Sequence, residues 1–287
     1  NYHPVFAKQM FLQNKCVLDV NCRMQSEMIL ANHNLIFKRH EIPGTTWMQQ
    51  IIFMLHNDGD DKKDENIPTI QRWCFVEAER PGGHRNEYDH WAATEPPHLV
   101  KTHLKSYFYK KTLDNSKMKV IVVLRNPKDA LVSYFNFYRM NMIFQFNGTW
   151  DDFFQLFKDK KLVKGDIFDV QLGWWKLRDD PRVEVFTYEG MLKSPEGAVR
   201  RVMKHMGKSL PDETVQKIVH ETSFKNMKEN PLTNYSKVPG YRHDISEFIR
   251  KGKVGDWKNY FSAEQAAYVD KLSAEIYEPH GLFLEDE

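Results

Sequence analysis

An α/β fold, with one mostly parallel central sheet flanked by helices, is predicted by three features of this sequence. Val120 to Leu124 is a continuous apolar run, the composition of a strand buried on both faces. Leu35 to Leu55, LIFKRHEIPGTTWMQQIIFML, reads as a strand, a short Gly-Thr-Thr turn and an amphipathic helix. Strand-like and helix-like segments then keep alternating, which requires crossover connections and parallel pairing. The 287 residues suit one large domain, read here as 35–287, with 1–34 as a weakly patterned peripheral lead-in.

The first helix rests on Trp47, Ile51, Ile52 and Leu55, which recur at three- and four-residue spacing and so share a face. Asn57 to Asn66, NDGDDKKDEN, reads as a surface loop. The middle region, partly apolar over 68–76 and polar over 84–95, is a candidate part of a substrate wall. Leu99 and Val100 then mark a short strand that ends in Lys101, Thr102 and His103.

After the strand at Val120, Asn126 can cap a helix, Pro127 suits its first position, and Ala130, Leu131, Tyr134 and Tyr138 make its apolar face. Thr149 and Asp152 form a capping-box start for the next helix, and Trp174 and Trp175 belong to a further one, in the core or on an apolar pocket. Val183 to Tyr188 alternates as a strand with Tyr188 at its end. Pro195 and Gly207 bracket a helix whose Val199, Val202, Met203 and Met206 face the core. Asp212 to Glu221 is helical, 222–241 irregular, and Ser262 with Gln265 opens a final helix carrying Val269, Leu272 and Ile276.

Composition narrows the function classes. Against 41 Lys and Arg stand 39 Asp and Glu, a net charge of +2 that gives no general reason for nucleic-acid or membrane binding. Three cysteines, Cys16, Cys22 and Cys74, are too few and too irregular for a disulfide framework or a zinc site, and fit a reducing, cytoplasmic setting. The sequence begins at Asn1 and shows no apolar leader, so a secretory signal is not expected.

The candidate site follows from the predicted sheet. A helix start presents unpaired N–H groups and the positive end of its dipole, so Gly44, Thr45, Thr46 and Trp47 offer an anion site; taken alone, GTTW serves equally as a helix cap. Ligands of open α/β sheets collect at the carboxyl ends of strands, where Lys101, His103, Arg125 and Tyr188 fall. A turn rich in N–H donors with two basic side chains and an imidazole suits a phosphorylated ligand.

Four separated blocks resemble the cytosolic sulfotransferases: PGTTW at 43–47, VKTH at 100–103, VLRNPKDALVSYF at 123–135 and FIRKGKVGDWKNYF at 248–261. TYEGM at 187–191 and ETSFKNMKENP at 221–231 fall in the family's order. The resemblance implies a P-loop-like nucleotide site and metal-free transfer of a sulfuryl group from 3′-phosphoadenosine 5′-phosphosulfate (PAPS) to a hydroxyl or amine of a small, apolar acceptor. The product would be 3′-phosphoadenosine 5′-phosphate (PAP).

By the family's pattern, Gly44, Thr45, Thr46 and Trp47 hold the 5′-phosphosulfate. Arg125, Ser133, Arg250, Lys251 and Gly252 hold the 3′-phosphate, and Tyr188, Thr222, Phe224, Met227, Phe248 and Ile249 surround the adenine and neighbouring groups. His103 is the implied general base, with Lys101 positioning acceptor and leaving charge.

Two departures stand out. The family's loop reads Tyr-Pro-Lys-Ser-Gly-Thr-Thr-Trp, whereas here His40, Glu41, Ile42 and Pro43 precede Gly44, so the loop lysine is replaced by Ile42. Loss of one such donor typically costs about 10²- to 10³-fold in turnover. Lys38 or Arg39 is a possible substitute, although alternation along a strand sends only one of them to a given face. The alternative reading is a non-catalytic or weakly active relative that keeps the nucleotide. Ser262, Ala263 and Ala267 break the family's dimer motif, which argues against a family-type homodimer. The G-x-x-x-x-G-K-S/T loop of P-loop kinases is absent.

Overall fold

The computed structural model describes residues 34–38, 45–60, 63, 66–75, 98–163 and 165–286. The lead-in up to residue 33, the loop 39–44 with Glu41, Ile42, Pro43 and Gly44, and the 84–95 part of the expected substrate wall lie outside the described residues.

Strands β1 (Asn34–Lys38), β2 (Cys74–Phe75), β3 (His98–Thr102), β4 (Lys119–Leu124) and β5 (Val183–Thr187) pair in parallel in the order β2-β3-β1-β4-β5. Ile36 lies opposite both Val100 and Val120, and Val122 opposite Val185. Because successive side chains of a strand point to opposite faces, β4 feeds two apolar layers at once. Val120, Val122 and Leu124 join one layer; Ile121 and Val123 join the other. The unbroken apolar run of β4 follows from this double burial.

The first layer takes α2 (Tyr107–Asp114), α3 (Pro127–Met140), α4 (Trp150–Lys158), α5 (Ile167–Trp175) and α10 (Ala263–Ile276). The second takes α1 (Thr45–His56), α6 (Tyr188–Lys193), α7 (Pro195–Met206) and α8 (Asp212–Glu221). Met203 and Met206 pack against this second layer, and Val269, Leu272 and Ile276 of α10 against the first. Trp174 is fully buried, while Trp175 is half-buried and donates from Nε1 to the His280 carbonyl at 2.9 Å.

The helix starts follow local chemistry. The Asn126 side chain accepts the Lys128 N–H at 2.9 Å, with Pro127 in the first turn of α3. Thr149 with Asp152, and Ser262 with Gln265, form reciprocal capping boxes. Gly207 ends α7 at φ +77°, a left-handed position that glycine adopts without steric cost.

Three features differ from the sequence reading. Helix α1 is buried almost all round rather than on one face, Gln49 and Gln50 included, because α7 and α8 also pack on it. The strand expected to end at Tyr188 stops at Thr187, whose hydroxyl accepts the Gly190 N–H at 3.1 Å and turns the chain into α6. The stretch 222–241, expected to be irregular, contains α9 (Phe224–Glu229), begun by the Ser223 hydroxyl accepting the Asn226 N–H at 3.4 Å.

Candidate active site

Parallel pairing brings the carboxyl ends of all the strands to one edge of the sheet, and the chain reverses direction across it at β1. At that edge β3 runs out at Thr102 and His103, β4 at Arg125 and β5 at Tyr188, and α1 starts at Thr45. These sequence-distant residues gather because of strand order, and such a switch point is the usual ligand crevice of an open α/β sheet.

Beside this edge lies an open cavity of about 860 Å³, mouth included. Of the residues singled out from sequence, Thr46, Trp47, Ser133, Tyr188, Thr222, Phe224, Met227, Phe248, Ile249, Arg250 and Gly252 line it. Thr45, Arg125, Lys251, Lys101 and His103 are not among the lining residues. Lys101 and His103 are buried at the end of β3, and Gly44 lies outside the described residues.

Arg125 backs the cavity through an aromatic ring. Its guanidinium carbon lies 4.3 Å from the centre of the Tyr188 ring, and Trp47 meets that ring edge-on at 6.2 Å. Burial raises the Tyr188 hydroxyl above its ordinary pKa, so it stays neutral. Arg125 donates from Nη2 to the Lys253 carbonyl at 3.3 Å and lies 3.5 Å from Asp129. Its Nε and Nη1, though buried, have no hydrogen-bond partner among the described residues. A buried guanidinium with two uncommitted nitrogens is costly unless a ligand takes them, and a phosphate matches its planar fork. The Thr46 hydroxyl and the Trp47 indole N–H are likewise buried and unpartnered among the described residues.

The segment 250–259, which Arg125 and Asp129 contact, contributes Arg250 and Gly252 to the lining. Gly252 has φ +64°, and a Cβ there would clash with the Phe224 ring, so a side chain fits only if the ring moves. Asp129, in the first turn of α3, accepts the Gly255 N–H at 2.8 Å and the Trp257 N–H at 2.9 Å. Asp256 takes Arg250 on one carboxylate oxygen and Lys251 on the other. Burial alone would push the Asp256 carboxyl up, but hydrogen bonds from Lys251, Arg250 and Asn259 outweigh it and hold the carboxyl down at about 2.

Other parts of the site were missed from sequence. Asn136, Phe137, Met140, Leu192, Ser246 and Glu247 also line the cavity. Ser133, Asn136, Phe137 and Met140 stand at i, i+3, i+4 and i+7 on α3, so helical spacing from Ser133 was enough to find the middle two and Met140. Leu192, Ser246 and Glu247 carry no comparable local signal. Glu189 is buried beside the site, accepts the Asn126 N–H at 2.9 Å, and is raised in pKa by burial.

Comparison with known proteins places the chain in a family and agrees with its fold. The sulfotransferase domain model matches residues 43–279. Rat sulfotransferase 1C2 is 40% identical over 231 residues, covering 80% of this chain and 78% of that protein. Mouse sulfotransferase 1A1 is 39% identical over 235 residues, covering 81% and 80%. Among solved structures, mouse sulfotransferase SULT7A1 complexed with PAP aligns with a TM-score of 0.67 and 26% identity, over 88% of this chain and 90% of that one. Retinol dehydratase, in complex with androsterone and PAP, shares the fold at TM-score 0.78 and 22% identity, over 88% and 83%. This chain belongs to the sulfotransferase family. The donor its sequence motifs imply is PAPS.

Proposed function

We propose that the protein transfers the sulfuryl group of PAPS to a hydroxyl or amine of a small, apolar acceptor, with His103 as general base. One observation carries the donor half of this reading: buried Arg125 keeps Nε and Nη1 uncommitted behind a cavity lined by Ser133, Arg250 and Gly252. In this reading Arg125, Ser133, Arg250, Lys251 and the Gly252 backbone hold the 3′-phosphate. Tyr188, Thr222, Phe224, Met227, Phe248 and Ile249 hold the adenine and its neighbouring groups, and the start of α1 holds the 5′ end.

The bound donor supplies an activated sulfuryl group. His103, at the end of β3, accepts the proton of the acceptor nucleophile, a task imidazole performs near neutral pH. Lys101, two residues earlier on the same strand, positions acceptor and leaving charge. Transfer of this kind depends on alignment and charge stabilisation more than on covalent chemistry by the protein. A cytoplasmic location and a free small-molecule acceptor belong to the same reading. Among the described residues, no helix is long and apolar enough to cross a membrane.

The test is transfer from radiolabelled PAPS to a panel of phenols, steroids and amines. Wild type is expected to label at least one class, and His103→Ala to lose about 10²- to 10⁴-fold in turnover while keeping its affinity for PAP. Ile42 and Pro43 favour a second reading, a nucleotide-binding relative with little or no catalysis. PAP binding without transfer to any acceptor class would establish it.

A further inference from the structure

We propose that Asp256 is a positioning residue for the 3′-phosphate: its two carboxylate oxygens hold Arg250 and Lys251 in place before the nucleotide arrives. The inference rests on the reading that the 3′-phosphate is taken by Arg125, Ser133 and residues 250–252.

The Asp256 side chain is 1% exposed, against 15% for Arg250 and 39% for Lys251, so the carboxylate lies beneath and the cations above it. Arg250 donates from Nη1 to Oδ2, and Lys251 donates from Nζ to Oδ1, which also accepts from Asn259 Nδ2 at 2.8 Å. The carboxylate is itself fixed. Its backbone neighbours Gly255 and Trp257 both donate to Asp129, and Asp129 belongs to the first turn of α3. A rigid helix thus sets one aspartate, that aspartate sets a backbone turn, and the turn sets a second aspartate that aligns two long cationic side chains.

A carboxylate so close to a phosphate site has two opposed effects. It repels the incoming anion, and it spares the site the entropy of ordering an arginine and a lysine, both rich in rotamers. Donor capacity decides between them. Arg250 offers five N–H donors and Lys251 three, and Asp256 takes one from each. The remaining donors are left for a ligand, so Asp256 orders the pair without consuming it. Arg250 lines the cavity in this arrangement.

The experiment measures Kd for PAP and for adenosine 5′-monophosphate, which lacks the 3′-phosphate, and takes their ratio as 3′-phosphate selectivity. Asp256→Asn is expected to weaken PAP about 10-fold and leave the monophosphate unchanged, a loss of about 1.4 kcal/mol of selectivity. Tighter PAP binding would show that repulsion dominates and overturn the proposal. An unchanged ratio, including equal weakening of both nucleotides, would overturn it too. Should Asp256→Asn fail to fold, Asp256→Glu keeps the charge but displaces it, and an unchanged ratio there is equally fatal. Arg250→Ala separates the two levels of inference. If it leaves selectivity intact, the phosphate assignment fails; if it abolishes selectivity while Asp256→Asn does not, only the role of Asp256 fails.

Discussion

The two ends of the cavity are built differently. At the 250–259 end, both acidic groups are tied to donors: Asp129 to two backbone amides and Arg125, Asp256 to Arg250, Lys251 and Asn259. At the α1 end, the Thr46 hydroxyl and the Trp47 indole have no partner among the described residues, and the loop before them has Ile42 where the family has lysine. The first end is organised without a ligand, and the second relies on a helix terminus. On the proposed assignment, recognition of the 3′ side is therefore expected to survive, and the 5′ side, where transfer would take place, to set the rate.

The largest expected effect comes from repairing the weaker end. Ile42→Lys with Pro43→Ser restores a charge-stabilising donor and a backbone N–H, and should raise turnover by about 10²- to 10³-fold in a labelled-donor assay. A fall in turnover with the fold retained would show that this loop works in another way. Breaking the stronger end comes next. Arg125→Ala removes charge-assisted bonds worth about 1.5–3 kcal/mol each, so PAP affinity measured by calorimetry should drop at least about 10-fold, with adenosine 5′-monophosphate little affected.

Gly252→Ala should cost less, about 1–3 kcal/mol divided between stability and nucleotide binding, because its Cβ needs both a left-handed backbone and a displaced Phe224 ring. Thermal unfolding with and without PAP separates the two shares. The smallest effect is acid sensitivity. The Asp256 carboxyl is held at about 2, below its ordinary 3.8, so its stabilising contribution is complete above that ordinary value and is lost as pH falls through about 2. Between about pH 4 and pH 2, Asp256→Asn should lose less stability than wild type in denaturant titrations.

What was legible in the sequence was what depends on neighbours in the chain. Capping boxes at Thr149 and Ser262, Pro127 in the first turn of α3 and the apolar run of β4 all act within a few residues, and the structure shows each of them. The strand order was not legible, because no local pattern says which strand β1 pairs with. Nor was the burial of Gln49 and Gln50, which read as the wet side of a helix until α7 and α8 cover it. Helix α9 has six residues, too few for a periodicity to register. The motif residues around the cavity were found through family resemblance, whereas Leu192, Ser246 and Glu247 meet it only through tertiary folding.

Helix α3 also acts as a ruler. Its Ser133, Asn136, Phe137 and Met140 lie along one wall of the cavity, and Ser133 and Met140 are about 10 Å apart at 1.5 Å rise per residue. Asp129, at the start of the same helix, holds the turn at Gly255 and Trp257. A single inserted residue would rotate everything after it by about 100° and carry the wall into the core. Substitutions along 127–140 change what the cavity prefers, but its length cannot drift: a relative that keeps this cavity has to keep that helix free of gaps.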